Sequence, residues 1–181
     1  VKASSSPLAT NSYRLLAQKV DYPLHLGITE SGTLASGTVY SSVGLGILLA
    51  EGLGDTIRVS LTADVEEEVK VGRKILASLD LATNVPRVIS CPSCARNHLD
   101  LFRIAEEVER RTSDLKRSIK IAVMGCAVNG PGEAREADFG IMGGKGHGQI
   151  FVDGKIIRKV PEESLVDELE KVIRARLGET T

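Results

Sequence analysis

Apolar and polar positions along the chain alternate between two periods, and the changes of period mark out its elements. Leu8, Leu15, Leu16 and Val20 follow Ser6 and Pro7, a capping residue and a residue suited to a first helical turn. A helix is predicted there, with those four side chains as its apolar stripe. Residues 23–28 form a short apolar run that reads as a strand ending at Thr29-Glu30-Ser31-Gly32. Residues 39–53 predict a buried helix. Ser41, Ser42, Gly44, Gly46 and Glu51 make it too short and too polar to cross a bilayer. A second strand is expected over 56–61. Asp64 with Glu67 three residues on then reads as a capping box opening a helix through Leu79, its glutamates near the positive end. This βαβα rhythm is that of an α/β fold, in which polar residues at strand ends carry the site.

Around residues 82–86 the rhythm resets, which divides the chain into parts 1–82 and 83–181. A strand over 87–90 leads into Cys91-Pro92-Ser93-Cys94 and a helix over 98–111, and a strand over 119–124 runs into Gly125-Cys126. Further strands are expected over 139–142, 149–152 and 155–160, the last two joined by Asp153-Gly154, a strong hairpin signal. Pro161 opens a final amphipathic helix through Leu177, with Glu170 and Arg174 paired one turn apart. The glycines around Lys145 and His147 lack the Gly-Lys-Ser/Thr of a nucleotide-binding loop and read as a flexible connection before a strand.

Charge and composition narrow the class. Twenty-three basic residues balance twenty-four acidic ones. They are spread out rather than gathered, and aromatic residues for base stacking are nearly absent, so neither nucleic acid nor an acidic membrane is indicated as a partner. Six prolines and eighteen glycines are too few for a disordered or fibrous chain. The 181 residues can bury roughly two-thirds of their unfolded surface, enough for one large or two small cores. An odd cysteine count without a secretory leader argues for a reducing, cytosolic setting rather than a disulfide framework. The chain opens Val1-Lys2-Ala3-Ser4 as though a strand had been cut, so preceding sequence is expected.

The three cysteines, Cys91, Cys94 and Cys126, all fall in apolar-to-glycine turns. A single Cys-x-x-Cys pair is shared by zinc sites, redox dithiols and iron–sulfur clusters. Zinc would require a fourth ligand, His98 or His147, in a Cys3His set closing a structural site in a binding module. A thioredoxin-like dithiol suits the strand–Cys-x-x-Cys–helix position but leaves Cys126 unused. A cluster uses all three thiolates, with Glu133 as a weaker, displaceable oxygen ligand and amides of the Gly130-Pro131-Gly132 turn available to its sulfides. Such a cluster could serve catalysis or electron carriage alone. The plain alternative is that the cysteines are small core residues beside a turn. In the first part, Lys2, His25, Thr29, Glu30, Arg58 and Ser60 lie within or at the ends of strand segments. Together their cations and hydroxyls suit a phosphate or diphosphate, while each alone also reads as a cap, a solvated charge or a satisfied core histidine.

The segments 22–30 (YPLHLGITE), 54–61 (GDTIRVSL), 91–94 (CPSC) and 125–133 (GCAVNGPGE) closely resemble the bacterial 4-hydroxy-3-methylbut-2-enyl diphosphate synthases, and the resemblance runs along essentially the whole chain. It implies the last strands and helices of a (βα)8 TIM barrel, followed by a small α/β, ferredoxin- or sulfite-reductase-like iron–sulfur domain. It further implies a 4Fe-4S cluster held by Cys91, Cys94 and Cys126, with Glu133 as exchangeable fourth ligand. Lys2, Thr29, Arg58 and Ser60 match diphosphate-binding positions, Glu30 an acid near the reacting carbons, and His25 and Asn129 neighbours of substrate or cluster. The implied reaction is the two-electron reductive ring opening and dehydroxylation of 2-C-methyl-D-erythritol 2,4-cyclodiphosphate in the non-mevalonate isoprenoid pathway. Ferredoxin or flavodoxin would be the donor, and the enzyme would be a homodimer. With sequence for only about three of eight barrel strands, the isolated chain is expected to be inactive.

Overall fold

The computed structural model describes residues 1–126, 132, 136–144 and 146–178. The chain divides into two units, Val1–Thr83 and Asn84–Thr181.

The first unit runs α1 (Ser6–Ala17), β1 (His25–Gly27), α2 (Leu34–Ala50), β2 (Thr56–Arg58) and α3 (Val65–Ser78). β1 and β2 are parallel, aligning His25 with Thr56 and Gly27 with Arg58, with α2 as the crossover. These two strands form no closed barrel. Val1–Ala3 is not a strand, although the Ala3 carbonyl accepts the Thr29 N–H at 3.2 Å.

Expectations for α1 and α2 fail here, and small residues set how closely these two helices approach their neighbours. Ser5, not Ser6, caps α1. The Ser6 hydroxyl is instead buried and donates to the Tyr40 carbonyl at 3.1 Å, tying α1 to α2. The buried face of α1 is Ser6, Ala9, Thr10 and Tyr13, so Leu8 and Leu15 of the expected stripe are exposed. α2 begins five residues earlier than expected and is buried on one side only, through Gly37, Ser41, Gly44, Leu45 and Leu48. A Cβ on Gly44 would lie 2.4 Å from Ile28 Cδ1, so glycine is what lets α2 reach β1. Val39, Tyr40, Val43 and Ile47 on its other side are exposed. The core comprises Tyr13, Leu26, Leu45, Leu48, Val59, Val71 and Ile75. At α3, Asp64 occupies the N-cap without a side-chain bond, and the expected capping box does not form. Glu67 pairs with Lys70, while Glu68 accepts the Leu61 N–H just beyond β2 at 2.7 Å.

The second unit comprises β3 (Arg87–Ser90), α4 (Leu101–Thr112), β4 (Lys120–Met124), β5 (Phe139–Gly144), β6 (His147–Val152), β7 (Lys155–Val160), a 3-10 turn (Glu162–Ser164) and α5 (Leu165–Leu177). The strands form one sheet in chain order, β3, β4 and β5 parallel and β5, β6 and β7 antiparallel. α4 starts at Leu101 rather than at residue 98 because Asp100 takes the N-cap and accepts the Arg103 N–H. The glycine-rich stretch is a tight hairpin, with Gly143 opposite Gly148 and Gly144 opposite His147, rather than a loose connection. Asp153 and Gly154 adopt φ of 47° and 75°, the left-handed pair a two-residue hairpin turn requires.

Period-2 alternation gives the sheet two apolar faces. Ile121, Val123, Phe139, Ile141 and Ile150 pack with Leu101, Ile104 and Val108 of α4 and Leu165, Leu169 and Ile173 of α5. Ala122, Met124, Met142 and Phe151 gather on the opposite face. The helices are also linked by charge. Arg111 of α4 reaches Glu107 and Asp167 at 2.6 Å and Glu170 at 3.1 Å. Arg174 of α5 joins Glu170 at 2.9 Å and Asp114 at 3.1 Å, so the expected Glu170–Arg174 pair is part of a network.

Two outcomes follow from this packing. Leu169→Ala should destabilise the second unit by roughly 2–5 kcal/mol through transfer and cavity terms, read as a lower urea midpoint. Hydrogen bonds from Arg110, then Arg111, hold the Glu107 carboxyl down at about 2 instead of the ordinary 4.5. Its contribution is therefore complete above pH 4.5 and lost as pH falls towards 2. Glu107→Gln should lower stability at neutral pH and flatten the acid limb of a stability–pH curve over that window; an unchanged limb would contradict the assignment.

Candidate metal centre

β3 and β4 are neighbouring parallel strands, with Ser90 opposite Val123, so their C-terminal ends lie side by side. Cys91 follows β3 directly and Cys126 lies two residues beyond β4. The Cys91 N–H donates to the Val123 carbonyl at 3.3 Å, continuing the ladder by one residue, and its Sγ accepts the Gly125 N–H at 3.3 Å. Cys91 is half-buried, Cys126 is buried and Cys94 is exposed. The turn closes back on itself as Asn97 N–H donates to the Cys94 carbonyl at 2.9 Å, and His98 N–H returns to the Gly125 carbonyl at 3.0 Å. The backbone N–H of Arg96, followed by its guanidinium, holds the Cys94 thiol below its ordinary range.

The Cys-x-x-Cys turn and Cys126 thus belong to one end of one sheet. Among the described residues, no three His, Cys, Asp or Glu side chains converge closely enough to hold a single metal ion. The Cys3His zinc set with His98 or His147 is accordingly not assembled among them. Asn129 and Glu133 lie outside the described residues, as does the Gly130-Pro131 turn.

In the first unit, Lys2, Thr29 and Glu30 come together just past the C-terminal end of β1. Lys2 Nζ lies 2.9 Å from Glu30 Oε1, both side chains being largely exposed. Thr29 is 5% exposed and its Oγ1 has no hydrogen-bond partner. Glu30 has a φ of 61°, an uncommon conformation for a residue with a Cβ. Arg58 ends β2 and lies against Gly27, where a Cβ would sit 3.4 Å from its guanidinium. It also lines an open groove of about 330 Å³ with Glu68, Gly72 and Arg73. Ser60 follows two residues later and is half-buried. His25 lies at the other end of β1, four residues or roughly 13 Å of extended chain from Thr29, where its Nδ1 meets Thr56 Oγ1 at 2.7 Å.

Sequence reasoning passed over four residues that shape these places. Tyr13 OH donates to the His25 carbonyl at 2.9 Å and accepts the Gly27 N–H at 3.2 Å, gripping β1 from α1. Arg73, Arg96 and Asn97 were likewise unmarked. Only the closeness of Arg96 and Asn97 to the Cys-x-x-Cys pair offered a signal.

This is a mixed α/β protein with polar side chains past parallel strand ends in one unit and three thiols past parallel strand ends in the other. The GcpE TIM-barrel domain matches residues 1–73 and the GcpE protein C-terminal domain matches residues 87–175. The chain belongs to the GcpE family. It is 58% identical over 173 residues to 4-hydroxy-3-methylbut-2-en-1-yl diphosphate synthase (flavodoxin) of Clostridium acetobutylicum, covering 96% of this chain and 50% of that protein. The similarly named Bacillus subtilis protein is 58% identical over 173 residues, 96% of this chain and 46% of the relative. That of Geobacter sulfurreducens is 55% identical over 177 residues, 96% of this chain and 50% of the relative. The chain spans about half the length of the curated relatives it matches. Among the described residues, no helix is long and apolar enough to cross a membrane.

Exposure and the Arg96 contacts together make Cys94 the reactive thiol of the metal-free chain. At pH 7 it should alkylate first, with Cys126 slowest, and Arg96→Ala should slow Cys94 by reducing its thiolate fraction. Mass-spectrometric rates for the three sites test this, and equal rates at Cys94 and Cys126 would refute it.

Proposed function

We propose that this chain is the cluster-bearing part of a 4-hydroxy-3-methylbut-2-enyl diphosphate synthase, acting on 2-C-methyl-D-erythritol 2,4-cyclodiphosphate. The observation that carries the reading is the pairing of strand ends. Cys91 and Cys126 follow neighbouring parallel strands, and a backbone N–H already points at the Cys91 sulfur. Three soft thiols with an amide donor to sulfur fit an iron–sulfur cluster, whose ligands spread over several irons. A lone zinc would instead need its donors within about 2.3 Å of one point. Cys91, Cys94 and Cys126 would hold a 4Fe-4S cluster in a ferredoxin- or sulfite-reductase-like domain, with Glu133 as the exchangeable fourth ligand and Asn129 nearby. When bound, the cluster supplies single electrons and a Lewis-acidic iron.

The other residues bind and deliver protons. Lys2, Arg58, Thr29 and Ser60 hold the diphosphate, the cations by charge and the hydroxyls by hydrogen bonds. The unpartnered, buried Thr29 Oγ1 suits an acceptor or donor arriving with substrate. Two electrons enter as the ring carbon–oxygen bond and a hydroxyl carbon–oxygen bond break and a carbon–carbon double bond forms. The departing hydroxide takes a proton and leaves as water. Glu30 is the candidate donor, and its contact with Lys2 places it beside the group expected to bind the diphosphate. His25, the remaining residue expected to neighbour the substrate, lies at the far end of β1, where its ring meets the Thr56 hydroxyl. The names of the relatives favour flavodoxin over ferredoxin as the electron donor. A cytoplasmic homodimer is the expected assembly, and the remaining length of those relatives would supply the missing barrel strands.

Anaerobic reconstitution tests the reading. About four irons and four sulfides per chain are expected, whereas about one zinc and no sulfide would overturn it. The chain alone should not turn over substrate, and Glu133→Ala should change the cluster spectrum without removing iron.

A further inference from the structure

Asn97 is half-buried at the centre of the contacts between the Cys-x-x-Cys turn and the end of β4. Its side-chain amide binds Leu99 from both sides, Nδ2 donating to the Leu99 carbonyl at 2.8 Å and Oδ1 accepting the Leu99 N–H at 3.1 Å. Nδ2 also reaches Ser93 Oγ, within the turn, at 3.4 Å. Leu99 is 6% exposed and belongs to the main core of the unit, so the amide is anchored to a fixed part of the fold. Its backbone N–H holds the Cys94 carbonyl.

The same side chain lies over Gly125. A Cβ built on Gly125 would fall 2.3 Å from Asn97 Oδ1, and one built on Gly143 of β5 would fall 2.2 Å from the Gly125 carbonyl oxygen. Gly125 is therefore enclosed between Asn97 and β5. Its N–H is directed at Cys91 Sγ and its carbonyl at the His98 N–H. Gly125, next to Cys126 in the chain, is thus bonded to the Cys91 sulfur and packed against the Asn97 side chain.

We propose that Asn97 is a positioning residue that locks the Cys91–Cys94 turn onto the Gly125–Cys126 peptide, presetting the thiols for the cluster. Its side chain acts through Gly125 and Ser93, while its backbone N–H, which neither substitution removes, also bears on the Cys94 thiol. This rests on the cluster reading for its purpose but not for its geometry.

The test compares the full chain with Asn97→Ala and Asn97→Asp, the latter keeping the acceptor to Leu99 N–H and losing both Nδ2 donors. In metal-free protein, Cys91 alkylation by iodoacetamide should be several-fold faster in Asn97→Ala, with Asn97→Asp intermediate. After reconstitution, both variants should release iron to a chelator about tenfold faster, the order expected when a group supporting a ligand is lost. Circular dichroism and urea midpoints identify any variant that has merely unfolded, and Asn97→Asp, the smaller change, then decides. Unchanged Cys91 protection and iron release in a folded variant would overturn the proposal. Failure of wild-type chain to take up iron and sulfide would overturn the cluster reading alone, since the alkylation result stands without metal.

Discussion

Parallel pairing of β3 with β4 is the constraint on which the second unit depends. It brings two turns, 35 residues apart at Cys91 and Cys126, to the same sheet end. Burial secures it. Ile121 and Val123 project into the helix-covered face while Ala122 and Met124 project into the other, so a one-residue slip would exchange both sets. Cys91 packs against both clusters, which fixes its position from two sides.

Close approach then makes the strand ends specific. Gly125 works because it has no side chain, with Asn97 on one side and β5 on the other. Gly140 does the same inside the sheet, where a Cβ would sit 2.3 Å from the Phe151 ring and 2.4 Å from the Ala122 carbonyl. In the first unit, Gly44 lets α2 lie on β1, and Tyr13 clasps β1 through two backbone groups. Both units rely on small residues where backbone must meet side chain, and on polar side chains such as Tyr13 and Asn97 that bond backbone groups.

Strong local signals were legible in the sequence. Strand 87–90, the Asp153-Gly154 hairpin and the strands around it needed only short-range pattern and turn chemistry, and the structure places them within one or two residues. Helix faces in the first unit were not legible. Leu8 and Leu15 have the spacing of a core stripe, yet the helix buries Ser6, Ala9, Thr10 and Tyr13 instead, with Ser6 bonded to the Tyr40 carbonyl of α2 and Tyr13 reaching β1. The Asp64 capping box does not form because the Glu67 side chain it needs pairs with Lys70, and the neighbouring Glu68 accepts the Leu61 N–H, a partner seven residues back that no local motif specifies.

The candidate site divides in the same way. The sequence by itself determined the chemistry available: three thiols in two turns, cations and hydroxyls near strand ends, and motifs specific enough to place the chain in its family. Residue type and spacing decide that much, because they are local. Only the tertiary structure decided which groups meet. It joined Lys2 to Glu30, left His25 at the opposite strand end, aimed the Gly125 N–H at Cys91 and set Asn97 over the joint. Those contacts arise from register and from the absence of a Cβ at the crossing points, which are properties of packed backbone rather than of any one segment.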